Sequence, residues 1–450
     1  MSFHRVARIA ALLFIVGCQS ERAPSFTSSE QALSLMPAAQ IAVTTELESG
    51  FGSPTNLVVW PMLPIDFGTY TATASSTNSG LLFDLKPASD FSFQSRIESL
   101  RGAAVQLANQ GTDNQVLRVS AYNSSTKKLD LMDGTGGAAT LAVKAGDTLS
   151  VVGDTLQMGR DLYLRHCMHC HGVSGDGDGP TGKYFAVKPR DYRSGKFKFT
   201  STKSGVKATR DDLFRIIKLG VPGTYMPSFM LLPDDDAQAL VEYIRWLAMR
   251  GEMEKSLVVE LSLDFSATAV AKQGADEVRS QFDAYLKAEL PGAVDSAVNL
   301  LKENWELAAL EESAVLPKVA RPAADAGSIE RGRKHFFGKD ANCISCHGET
   351  GRGNGGSTEA FNDIPGKPGQ KSDKPGLFDD WGHIVKPRDL TSGIYRGGRR
   401  PIDIYRRISA GIKGTPMPGG SKILKDEEIW DITNYVLSIP FEQKAKKTGH

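Results

Sequence analysis

Cys167-Met168-His169-Cys170-His171 and Cys343-Ile344-Ser345-Cys346-His347 each set two thiols three positions apart with an imidazole directly after the second. Thiols at that spacing can form thioethers to the two vinyl groups of one haem, and the adjacent His is then delivered to the iron. Downstream of each triplet stands Gly-Thr-x-Met-Pro, carrying Met226 in one copy and Met417 in the other. A Met sulfur arriving from the far side fills the sixth iron position. Zinc is the competing chemistry for paired cysteines. A tetrahedral zinc site needs a further thiolate or imidazole near each triplet, and no Cys or His lies between His171 and His335. The expected cofactors are therefore two covalently attached c-type haems, held by Cys167 and Cys170 and by Cys343 and Cys346. His171 with Met226 and His347 with Met417 are the expected iron ligands.

The elements that position these groups are themselves duplicated. After His171 come Gly172, Gly175, Gly177 and Gly179; after His347 come Gly348, Gly351, Gly353 and Gly355, at the same offsets. Glycine permits the tight turns and close backbone approach that a chain lying on a flat porphyrin requires. Val187-Lys188-Pro189-Arg190-Asp191 matches Val385-Lys386-Pro387-Arg388-Asp389, with an extra Gly-, Pro-, Lys- and Asp-rich loop at 362–382 in the second copy. Asp212-Leu213-Phe214-Arg215 and Asp403-Ile404-Tyr405-Arg406 then lead into the two Met loops. Two copies of one domain are the economical reading, and a Met at the same register of both loops is read as a ligand rather than as core filler.

Gly159 and Tyr163 before the first triplet, and Gly332 and Phe336 before the second, lie one helical turn apart. After each Met loop an acidic start opens an amphipathic helix, Asp234 to Asp236 before Leu240, Tyr243, Ile244 and Leu247, and Asp426 to Glu428 before Ile429, Ile432, Tyr435 and Val436. Together these features resemble class I cytochromes c. The resemblance implies that the first and last helices of each domain cross beside the haem edge, Gly against an aromatic ring. It also implies that a proline carbonyl after the glycine loop fixes the proximal His, a place that Pro180 takes in the first copy and Gly356 in the second.

The fold class expected is mainly α, two class I cytochrome c domains joined by a helical spacer, with a small β-rich module ahead of them. The divisions are a signal peptide at 1–17, a lipidated Cys and tether at 18–56, the β-rich module at 57–155, the first haem domain at 156–251, the spacer at 252–325 and the second haem domain at 326–442. Leu261, Leu263 and Phe265 alternate as a short strand, whereas Val278, Phe282, Tyr285 and Leu286, then Val294, Val298, Leu301 and Trp305, have helical spacing. The spacer is expected to pack onto the haem domains. Val116 to Ser120 and Lys128 to Leu131 read as strands of the β-rich module, which contains no Cys or His.

Six-coordinate iron with His and Met has no position left for a substrate, and the sulfur ligand favours the ferrous state, so the chemistry expected is single-electron transfer. Of the basic residues around the two triplets, Arg190 and Arg388 are the best candidates for holding haem propionates because they repeat. The rival of another class is a di-haem peroxidase, which needs an open iron. A cytochrome subunit of a dehydrogenase or quinol-oxidising complex shares the chemistry and differs in assembly.

His4, Arg5 and Arg8 followed by an apolar stretch from Ile9 to Gly17 form a secretory leader too short to span a bilayer. Ile15-Val16-Gly17-Cys18 resembles the bacterial lipoprotein box, which implies a diacylglycerol on Cys18 and a periplasm-facing protein anchored to the outer or inner membrane. With four of the five cysteines in the triplets and one in the leader, no thiol remains for a disulfide. A net charge of +1 over 450 residues gives no electrostatic case for nucleic acid. The partners expected are a respiratory membrane complex or another redox protein.

Overall fold

The structure, a computed structural model, describes residues 24–60, 62–77, 80–87, 103–107, 117–133, 137–140, 143–367 and 369–448. The leader and Cys18 lie outside the described residues. The chain is largely helical, with one antiparallel sheet of eight short strands among the described residues of the N-terminal part. That sheet has its own core of alternating side chains, including Tyr70, Ala72, Val105, Val119, Leu149 and Val151.

The first haem domain is organised around one long helix, Asp234–Ser262. Three aspartates in its first turn suit the positive end of the helix dipole. Buried residues run around its whole circumference, among them Leu240, Tyr243, Trp246, Leu247 and Met253, which is the pattern of a helix enclosed by neighbours. The neighbours are the opening helix Asp154–His166, the N-terminal helix Pro37–Phe51 and the spacer helix Leu290–Leu307.

Three expectations change here. The tether placed at 18–56 is, from Pro37, a packed helix whose Ala39, Val43, Leu47 and Phe51 enter the core of the first haem domain. The strand expected at Leu261 to Phe265 is instead the last turn of the long helix, which ends at Ser262, and the turn after it; Leu261 and Phe265 are buried while Leu263 is 81% exposed. The division placed at Gly251 falls inside that unbroken helix. The spacer is helical at Ala275–Ala288 and Leu290–Leu307, and its Val278, Phe282, Val298, Leu301 and Trp305 share one core with the first haem domain. Burial of that apolar stripe, worth about 1.5–3 kcal/mol for each large side chain, holds it there.

The second haem domain has a separate core of Phe336, Ile404, Tyr405, Ile429, Trp430, Ile432, Tyr435 and Ile439. Its opening helix Ala326–Phe337 is capped by Asp325, which accepts from Ser328 N at 2.8 Å, and crosses the closing helix Asp426–Thr448. Among the described residues no helix is long and apolar enough to cross a membrane.

Candidate haem crevices

Each Cys-x-x-Cys-His triplet sits on a single helical turn, Met168–His171 directly after its opening helix and Ile344–His347 after a short turn at 338–343. Cys170 N and His171 N donate to Cys167 O at 3.1 and 2.9 Å; Cys346 N and His347 N donate to Cys343 O at 3.3 and 2.9 Å. The turn closes on a glycine with positive φ, 74° at Gly172 and 73° at Gly348, a conformation an L side chain would strain. The glycine loop then folds back: Gly177 N donates to His171 O and Gly353 N to His347 O at 2.9 and 2.8 Å. The next contact, Tyr192 N to Gly175 O at 2.6 Å, is repeated by Leu390 N to Gly351 O at 2.7 Å.

Both imidazoles are half-buried and held through Nδ1. His171 Nδ1 donates to the main-chain carbonyl of Arg190 and His347 Nδ1 to that of Arg388, each at 3.3 Å. The group that fixes the ring is thus the same in both copies. It is the carbonyl of the repeated arginine and not that of Pro180, and the absence of a proline at Gly356 has no bearing on it. A donor at Nδ1 leaves Nε2 free as the ligand nitrogen. Burial pushes the His171 pKa down to about 4 and lowers that of His347, so both rings are neutral at physiological pH, as metal ligation requires. His171 also stacks on Tyr192 with ring centroids 4.8 Å apart, where the second copy has Leu390.

Burial raises the Cys167 thiol to about 12 and Cys343 to about 11, with the neighbouring Cys of each pair adding to the shift. Among the described residues no three His, Cys, Asp or Glu converge as a tetrahedral metal site needs.

The two Met loops have the same internal bonding. Val221 N donates to Met226 O and Ile412 N to Met417 O, both at 3.2 Å. Thr224 Oγ1 donates to Val221 O at 2.7 Å and accepts from Met226 N at 3.2 Å; Thr415 Oγ1 donates to Ile412 O at 2.7 Å and accepts from Met417 N at 3.4 Å. These threonines brace the loops, a role that the repetition of Gly-Thr-x-Met-Pro signals but the sequence reading left unassigned. Met226 and Met417 are half-buried, and neither is among the residues of the hydrophobic cores.

Most of the basic residues near the triplets turn out to be tied to the protein. Arg193 pairs with Asp191, Arg400 with Asp403, and Lys188 donates to Lys183 O. Several bonds join the two haem domains: Lys196 to Asp380, Arg215 Nη1 to Asp403 Oδ1 at 3.6 Å and to Gly397 O at 3.0 Å, and Lys413 Nζ to Thr200 Oγ1 and Thr202 Oγ1, both at 2.7 Å. Val315 N to Ser201 O and Lys203 N to Ser313 O, both at 2.8 Å, stitch the end of the spacer to the first domain. Arg190 is different. Its Nε and Nη2 are buried with no hydrogen-bond partner, so the residue has donors to spare for a carboxylate such as a haem propionate. Arg388 uses Nε on Ile394 O at 2.7 Å and reaches Ser392 Oγ with Nη2 at 3.5 Å.

The residues present therefore fit two covalent haems, with paired thiols, a fixed neutral imidazole and a braced Met loop in each copy. No curated protein matches the chain. Among solved structures, a chain of the Kuenenia stuttgartiensis reducing HAO-like protein complex aligns at 26% identity over 63% of this chain and 96% of its own, with a TM-score of 0.43. Residues 156–248 and 329–440, the two stretches that carry these crevices, match the Cytochrome c family model, a likeness that implies covalently bound c-type haem.

Proposed function

We propose that this chain is an exported, membrane-anchored di-haem cytochrome c that passes single electrons between respiratory partners. One haem is attached at Cys167 and Cys170 with His171 and Met226 as iron ligands, the other at Cys343 and Cys346 with His347 and Met417. The bound haems supply reversible one-electron exchange at iron. The chain supplies the rest: the Arg190 and Arg388 carbonyls orient the imidazoles, Thr224 and Thr415 shape the Met loops, and the packed helices exclude water. The observation that carries this reading is the repetition of the Met-loop hydrogen bonds in both copies. With Met on both irons no position is left for peroxide, which sets the carrier apart from a di-haem peroxidase. Cys18 bears the lipid, and the body faces the periplasm, where it meets a respiratory complex or another redox protein.

Denaturing mass spectrometry and optical spectra test this on the exported protein. The expected result is two covalent haems per chain, a diacylglycerol on Cys18, and low-spin His/Met signatures on both irons. A high-spin fraction with peroxide turnover overturns the carrier reading, and an unmodified Cys18 overturns the anchor. Co-purification from solubilised membranes identifies the partner and separates a free carrier from a subunit of a larger oxidoreductase.

A further inference from the structure

The two repeats meet with corresponding residues exchanged. Arg215 of the first Asp-x-x-Arg motif reaches Asp403 of the second, and the charge of Asp212 in the first acts on Arg406 of the second. The arginines that fix the proximal imidazoles obey the same exchange. Arg190 Nη1 lies 3.2 Å from the place a Cβ on Gly414 would take, in the loop that leads to Met417. Arg388 Nη2 and Nη1 lie 2.9 and 3.0 Å from the corresponding place on Gly223, in the loop that leads to Met226. Both glycines have positive φ, 70° and 75°.

We infer that Arg190 and Arg388 form a crossed pair shared by the two haem crevices, each holding its own His through its main chain and presenting its guanidinium, as a propionate-binding group, beside the Met loop of the other domain. This rests on the di-haem reading above. Its consequence is that each cation is felt by both irons.

The crossing is unequal, and the second-copy insertion makes it so. Trp381, at the end of that insertion, lays its ring 4.0 Å from the Arg190 guanidinium and also covers Gly414. The acidic groups nearest Arg190 are already engaged: Asp191 by Arg193, Asp380 by Lys196, and Asp379 by Trp381 N and His383 N. Arg190 therefore keeps two buried donors unmatched, a costly state unless a carboxylate completes it. The Trp381 ring makes a cation–π contact with the guanidinium but takes none of its N–H donors, and Nε and Nη2 remain for a carboxylate. Arg388, half-buried like Arg190, spends Nε on Ile394 O and reaches Ser392 Oγ with Nη2, so fewer of its donors remain for a propionate. Trp381 acts here as a positioning residue.

A cation close to a haem favours the reduced form, which carries one more negative charge. The test is a redox titration of the full di-haem protein with haem-resolved NMR, so that each iron is followed separately. In Arg190→Gln the reduction equilibrium of the second-domain haem is expected to fall at least tenfold, about 59 mV for one electron, together with a fall at the first. Arg190→Lys restores most of the charge effect, and Trp381→Leu shifts both haems in the same direction by less. A shift confined to the first-domain haem, or no shift at all, overturns the crossed pair while leaving two His/Met haems in place. If Arg190→Gln does not mature, Arg388→Gln is read the other way round, with a response required at the first-domain haem and its absence refuting the crossing. Failure of the di-haem reading shows itself separately, as fewer than two covalent haems in the unsubstituted protein.

Discussion

Replacing Gly159 or Gly332 by Ala probes the helix crossings that set the walls of both crevices. A Cβ on Gly159 would lie 2.8 Å from the Ala239 carbonyl carbon and 2.8 Å from Tyr243 Cβ, with the Ala239 oxygen nearer still. A Cβ on Gly332 would lie 2.9 Å from Ile432 N, with the Asp431 carbonyl nearer. Ordinary contact starts at 3.4 Å, so clearing the Ala239 carbon alone parts the helices by about 0.6 Å, the nearer carbonyl oxygens require more, and the obstacle is backbone that cannot rotate away. A gap of that order forfeits roughly a quarter to a half of the dispersion energy of each contact it opens. The contacts at risk include the Tyr163–Tyr243 rings, 5.2 Å apart, and the Phe336–Tyr435 rings, 5.3 Å apart. Overpacking of this kind costs about 1–3 kcal/mol, and the better helix propensity of Ala returns about 1 kcal/mol. With backbone as the obstacle the upper end applies, and the net loss is about 2 kcal/mol. Urea unfolding of the holoprotein, followed at the haem absorbance of each domain, should show the transition of the altered domain about 1 M lower. An Ala variant as stable as the parent, or more so, would refute the claim that these helices touch backbone to backbone at glycine.

Met226→Ala and Met417→Ala should each abolish one His/Met near-infrared band, leave the covalent haem count at two, and open one iron to exogenous imidazole. A band that survives either change removes that Met from the coordination sphere. Lys413 has its pKa brought down to about 8, chiefly by burial, with Asp212 opposing and Lys207 adding to the shift. An unfolded lysine titrates near 10.4, so between these values the unfolded chain holds the extra proton and stability rises with pH, by about 1–3 kcal/mol in total. Lys413→Met should therefore lose that rise in urea titrations from pH 7.5 to 10.5, and parallel curves for the two proteins contradict it. Arg215→Met removes the bond to Gly397 O and the pairing with buried Asp403. The expected loss is about 1–3 kcal/mol, with faster hydrogen exchange along the domain boundary; unchanged exchange there argues against the pairing.

What the sequence made legible was local. The two triplets, the glycine offsets and the helical spacing around Gly159 and Gly332 are short-range patterns, and each produces the same turn or helix in both copies. Pairings set by the return of a distant loop were not legible. Nothing in Val-Lys-Pro-Arg-Asp says that the Arg carbonyl 19 residues on from His171, or 41 on from His347, is the one that reaches the imidazole. The helix Pro37–Phe51 reads as tether because its sequence has only a weak apolar stripe, and it owes its stability to the core it enters. Leu261, Leu263 and Phe265 alternate like a strand, but the preceding helix continues through Ser262 and overrides that short pattern. Trp381 carried no signal at all beyond lying in a loop that the first copy lacks.

The bonds that Lys413, Arg215 and Lys196 make between the halves of the molecule have a kinetic meaning. Two redox modules on a slack connection exchange charge only when diffusion brings them together, and thickening the solvent slows them. On the proposed di-haem function, modules fastened as these are would exchange electrons across one fixed gap. Internal electron exchange should then proceed at the same speed in buffer and in glycerol, while delivery from an outside donor slows with viscosity.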